Sequence, residues 1–163
     1  MEQRNNYLNL IVNRFGVNPA VALLGPRQSG KTTLAKLYAK KQTSTTTVHW
    51  FDLEDPADLS ALQNPKTVLG NLEGLIIIDE VQKLPGLFPV LRVLIDQHVE
   101  GRQFLLLGSA SKDLIEQSSE TLAGRLSYIE VSPFSMVEEG VISKLWRRGG
   151  YPKSYLTQSD ESD

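Results

Sequence analysis

Residues 25–32 read Gly25-Pro26-Arg27-Gln28-Ser29-Gly30-Lys31-Thr32. This is the complete Walker A pattern, G-x-x-x-x-G-K-[ST], set between an apolar run at 20–24 (AVALL) and a helical pattern at 33–41 (TLAKLYAKK). Strand, glycine-bearing loop and helix in that order are the setting in which the motif binds phosphate. Gly25 and Gly30 can take backbone angles closed to other residues, so the chain can curl around an anion. The curled loop turns backbone N–H groups inward, and the helix that follows adds its positive N-terminal end. Lys31 is placed to reach the β- and γ-phosphates, and the Thr32 hydroxyl to ligate Mg²⁺, a hard ion that prefers oxygen. With Thr33 at the start of the helix, residues 25–33 are the expected nucleotide-binding set. The bland alternative is a chance glycine-rich turn.

A second motif weakens that alternative. Residues 75–80 read Leu-Ile-Ile-Ile-Asp-Glu. A short, unbroken apolar run suits a strand buried on both faces of a parallel sheet. Ligands of such sheets bind at the carboxyl ends of the strands, so Asp79 and Glu80 emerge where phosphates should lie. In this Walker B arrangement Asp79 holds the Mg²⁺ shell, and Glu80 orients and deprotonates the attacking water. A third run, Phe-Leu-Leu-Leu-Gly-Ser-Ala-Ser at 104–111, ends in small polar residues. Ser109 is the candidate sensor of the γ-phosphate, or else part of a turn. Ser111 reads as the N-cap of the helix that follows.

Length and composition bound the rest. A chain of 163 residues, 40% hydrophobic, can bury one ordinary core. Lys plus Arg number 17 against 19 for Asp plus Glu, a near balance that gives no general pull toward nucleic acid or an anionic membrane. There is no cysteine, hence no disulfide framework and no thiolate chemistry. No apolar run approaches the ~20 residues needed to span a bilayer. The polar N-terminus is not a secretory signal, which leaves the cytoplasm as the expected compartment.

Along the chain the pattern alternates. A helix is expected over 3–15, with Tyr7, Leu10, Ile11 and Phe15 on one face. A strand at 20–24, a helix at 31–41, a polar turn at 42–47 and a strand at 48–54 follow. Asp55 is a good N-cap with Pro56 at the first helical position, and that helix is expected to end near Asn64-Pro65. A strand at 74–79 carries Walker B. Leu87, Leu91, Leu94, Ile95 and His98 share one face of a helix over 87–99. Strand 103–108, helix 111–118 and strand 127–131 complete the series. Ser132-Pro133 reads as a further helix start, Gly140 as its end or interruption, and Gly149-Gly150 as a turn. The alternation predicts a three-layer α/β sandwich, a mostly parallel sheet with helices on both faces. One domain is expected over 1–155, and the acidic residues 156–163 as a disordered tail.

His49 and Trp50 read as packing residues, and Arg147-Arg148 is too short a basic run to argue for nucleic acid. Arg125, in Thr-Leu-Ala-Gly-Arg, is different. It lies between the sensor strand and the last strand. From there it could neutralise transition-state charge in the same or a neighbouring subunit. A structural ion pair is the equal alternative.

The run GPRQSGKTTLAKLYA, the stretch FDLEDPADLSALQNP, the block LIIIDEVQKLPGLFPVLRVLID, then LLLGSASKDLIEQSSETLAGRLSYIEVSPFS and LWRRGGYPKSYL together resemble one group. This is a group of bacterial and archaeal AAA-type P-loop ATPases. The resemblance covers nearly the whole chain. It implies ATP as the nucleotide, Lys31 and Thr32 as the Walker A pair, and Asp79 and Glu80 as the Walker B pair. It further implies Ser109 as the sensor position and Arg125 as the arginine of the Leu-Ala-Gly-Arg segment. Members usually continue past the Gly-Gly-Tyr-Pro segment into a C-terminal domain of unknown function. This chain stops at Asp163, about where that domain should begin, so target recognition and assembly into a homo-oligomer are left open.

The expected function is therefore ATP binding with slow, Mg²⁺-dependent hydrolysis by Lys31, Glu80, Ser109 and Arg125. Two alternatives belong to other classes. One is a nucleotide-dependent switch, or interaction module for an unidentified protein partner, with negligible turnover in isolation. The other is a nucleic-acid-processing motor module, which the near-neutral composition does not favour.

Overall fold

A computed structural model describes residues 5–132. Its elements in chain order are α1 (Asn5–Phe15), β1 (Ala20–Leu24), α2 (Lys31–Gln42), β2 (Val48–Asp52), α3 (Pro56–Ala61), α4 (Pro65–Gly70) and β3 (Leu75–Asp79). A 3-10 turn (Val81–Lys83) follows, then α5 (Leu87–Asp96), β4 (Gln103–Gly108), α6 (Lys112–Thr121) and β5 (Leu126–Glu130). The five strands form one sheet in the order β2-β3-β4-β1-β5, and every neighbouring pair is parallel.

The unbroken apolar runs explain that sheet. Successive strand residues point to opposite faces, so a strand covered on both sides must be apolar throughout. Every residue of β1 and of β3 is buried. Ala20, Ala22, Leu24, Ile76, Ile78, Phe104 and Leu106 face one core, closed by α5 and α6 through Phe88, Leu91, Leu94 and Leu114. Val21, Leu23, Leu75, Ile77, Leu105 and Leu107 face the other, closed by Leu8 and Ile11 of α1 and Leu34, Ala35 and Tyr38 of α2. This is the α/β sandwich that the alternation predicts.

Three local expectations need correction. Leu10 of α1 is 40% exposed, and Leu8 takes the buried place instead. His98 does not extend the face of α5. It lies past the helix end in a left-handed conformation, φ 50°. The helix opened by Pro56 stops at Ala61, short of Asn64-Pro65, which instead opens a further helix, because proline suits the first turn. Asp55 caps α3 as expected, its carboxylate accepting the Ala57 N–H at 2.8 Å. The edge strand β2 is half-buried, with Trp50 against the core and beneath the Lys36 ammonium, so packing accounts for it. The expectations for residues 133–163, including Arg147-Arg148, Gly149-Gly150 and the acidic tail, lie outside the described residues.

In register, Leu24 lies level with Gly108 and Glu130, and Asp52 with Asp79. The carboxyl ends of all five strands therefore form one rim. β1 sits where the chain order reverses, with β4 on one side and β5 on the other, and that switch point opens a crevice above its carboxyl end.

Candidate nucleotide site

The loop between β1 and α2 occupies that crevice. Its two glycines serve different purposes. Gly30 is left-handed at φ 93° and stands at the N-cap of α2. Gly25 is needed for space, since a Cβ there would lie 2.2 Å from the Val131 carbonyl oxygen. The second left-handed residue of the loop is Gln28 at φ 63°, which sequence alone gave no reason to choose. Ser29 is fully buried, whereas Pro26, Arg27 and Gln28 are exposed. Arg27 turns outward to Glu54, 3.5 Å away, and Glu54 also lies 3.7 Å from Lys83. No side chain caps α2, so its first N–H groups face the loop.

Lys31 is 7% exposed and folds back into the loop, its Nζ donating to the carbonyls of Gly25 (2.8 Å) and Pro26 (2.7 Å). Burial lowers its pKa, while the nearby carboxylates of Glu80 and Asp79 pull the other way. Thr32 Oγ1 donates to Asp79 Oδ2 at 2.9 Å. The other oxygen of Asp79 accepts the Glu80 N–H at 2.9 Å. Asp79 is 5% exposed, and burial raises its pKa against the hydrogen bonds from Thr32 and the Glu80 N–H. A buried carboxylate whose charge is penalised is suited to take up a cation. Thr32 and Asp79 supply two hard oxygens at one point. Those two oxygens would suit a Mg²⁺ ion, whose charge would offset that of a phosphate.

Glu80 follows β3 in a left-handed conformation, φ 56°, uncommon for a residue with a Cβ. Its side chain is bonded by the Gln82 amide. The structure thus brings Lys31, Thr32, Asp79 and Glu80 together. Ser109 stands just beyond β4, its N–H on Gln82 Oε1 at 3.4 Å. Ser111 caps α6 through the Leu114 N–H, as its sequence position predicts. Gln82 is the residue that motif reading missed. The signal was present in Glu-x-Gln, two residues apart on a turn, but that spacing is too common to single out.

Arg125 is not brought to this site. It precedes β5, whose first residue pairs with Ala20 at the start of β1. Five strand residues at ~3.3 Å each put it about 16 Å from the rim. There its guanidinium makes a bidentate pair with Asp96 at the end of α5, at 2.6 and 3.1 Å. Within its own chain it is a staple between α5 and β5. The expectation that it could serve the same subunit's phosphates is corrected by this placement.

A family profile described as AAA domain matches residues 17–139. Two uncharacterized proteins, one from Mycobacterium bovis and one from Mycobacterium tuberculosis, are each 48% identical over 145 residues, covering 88% of this chain and 32% of their own length. The chain thus spans about a third of the length of the curated relatives it matches. Among solved structures, a RuvB variant of Thermotoga maritima is similar with a TM-score of 0.51 at 24% identity, over 82% of this chain and 45% of its own. AMPPCP-bound DnaA from Aquifex aeolicus is similar with a TM-score of 0.60 at 16% identity, over 94% of this chain and 58% of its own. At such identities these two likenesses speak for the fold. Profile, sheet and loop agree, and the chain belongs to the AAA family of P-loop ATPase domains.

Proposed function

We propose that this domain binds ATP with Mg²⁺ at the β1–α2 loop and hydrolyses it slowly. The observation that carries the reading is the buried Lys31 ammonium, held on loop carbonyls beside the Thr32–Asp79 bond. A lysine folded onto carbonyls is a cation ready to exchange those weak partners for phosphate oxygens. The uncapped start of α2 adds N–H donors and a positive dipole end. Thr32 and Asp79 would hold the Mg²⁺, which when bound offsets phosphate charge. Glu80, half-buried one residue on, is the base that takes a proton from water. The AMPPCP in the Aquifex DnaA structure, an ATP analogue, supports ATP as the nucleotide. Any help from Arg125 would go to a neighbouring copy, and a single chain would turn over slowly without it.

Phosphate release from Mg²⁺-ATP by the native chain, Lys31→Ala and Glu80→Gln tests this. Native turnover lost in both variants, with binding kept in Glu80→Gln, is the expected result. A Glu80→Gln chain with native turnover contradicts the base assignment. Tight binding with no native turnover would instead favour the nucleotide-dependent switch. Among the described residues no helix is long and apolar enough to cross a membrane.

A further inference from the structure

Gln82 uses both ends of its amide. Its Nε2 donates to Glu80 Oε2, and its Oε1 accepts the Ser109 N–H at 3.4 Å. The partners set the orientation of the amide, because a carboxylate oxygen accepts the N–H₂ end and a backbone N–H only donates. The seat is close: a Cβ on Gly108 would lie 3.0 Å from Gln82 Oε1 and 2.8 Å from Leu114 Cδ2. Glycine at 108 therefore leaves room for the amide. The Gly108 carbonyl in turn accepts the Gly25 N–H at 3.3 Å. Hydrogen bonds thus run from the first residue of the phosphate loop to the end of β4, and from there through Gln82 to Glu80.

Glu80 needs such a partner. Asp79 fixes its backbone N–H, but three side-chain torsions remain, and a carboxylate that samples several rotamers spends little time aimed at water. We propose that Gln82 is a positioning residue that holds the Glu80 carboxylate in one orientation and ties it to the Ser109 end of β4. A shift of that strand end, where a γ-phosphate would be sensed, then reaches the base directly. The proposal rests on the reading of Glu80 as the base.

Gln82→Met keeps length and volume and removes donor and acceptor. Gln82→Glu keeps the acceptor for Ser109 and sets a second carboxylate against Glu80. Both should lower kcat for phosphate release by roughly 10-fold or more while KM stays within about 2-fold, since misaimed groups cost rate rather than binding. Added to Glu80→Gln, Gln82→Met should cause no further loss, because residues acting through one group are not additive. A full kcat in Gln82→Met, or a further loss on the Glu80→Gln background, overturns the role of Gln82 alone. Native turnover in Glu80→Gln overturns the base assignment and this proposal with it. A readout independent of turnover is ¹⁵N NMR of the full chain. Glu80→Gln should move the Gln82 side-chain amide resonances, and Gln82→Met should speed hydrogen exchange at Ser109. Unchanged spectra and exchange overturn the bridge.

Discussion

Lys31 carries the tension of the site. Its burial disfavours the charged form, so its folded pKa lies below the ordinary 10.5. A lysine lowered in this way weakens the fold wherever it must be charged. Stability is regained as pH rises from the folded pKa through the unfolded value, because the unfolded chain binds more protons in that window. Lys31→Met removes the buried charge. Its advantage in melting temperature over the native chain should therefore narrow as pH is raised toward 10.5. An advantage that widens over that range would contradict the assignment. The gathering of Lys31, Thr32, Asp79 and Glu80 at one rim was legible in the sequence, because it depends on residue type at the start of α2 and at the end of an unbroken apolar strand. Gln82 was not, because its place depends on meeting Ser109, 27 residues away. The same holds for Asp96, which gives Arg125 its partner across 29 residues.

Among the elements, β1 and β4 were legible to the residue, since apolar runs bounded by glycine, proline or charge have sharp ends. α4 was missed because a proline reads as a stop although it also suits the first turn of a helix. The loop between β1 and α2 depends on a close approach that no local pattern announces. Gly25 lies beneath the chain leaving β5, with the Val131 N–H on the Leu24 carbonyl at 2.6 Å. Gly25→Ala would force that segment and the loop apart. The loss in stability should be about 1–3 kcal/mol, the usual range for overpacking, read as a lower urea midpoint at unchanged slope. Gly101→Ala serves as a comparison, because no atom lies within 4 Å of its Cβ position, although its φ of 75° brings strain of its own. A Gly25→Ala chain as stable as the native one would show that the Val131 segment yields freely.

At the scale of the whole molecule, the two ends of the sheet have separate roles. The carboxyl rim gathers the phosphate loop, Asp79, Glu80 and Ser109. The amino rim holds the Arg125–Asp96 pair, which is part-exposed. Arg125→Ala should leave per-molecule turnover of the dilute chain unchanged, because the arginine cannot reach its own site. A drop of ~10-fold in the dilute variant, the size expected when a transition-state contact is lost, would contradict that separation. Turnover that rises with concentration in the native chain, and not in Arg125→Ala, would place its action on a neighbouring copy. The most direct measurement is the melting temperature with and without Mg²⁺-ATP, for the native chain and for Lys31→Ala. Nucleotide at 100 times its Kd should add about 2.7 kcal/mol, roughly 5–10 °C for a domain of this size. The native chain should show that shift and Lys31→Ala little or none. Equal shifts in the two proteins, or none in either, would contradict nucleotide binding at the β1–α2 loop.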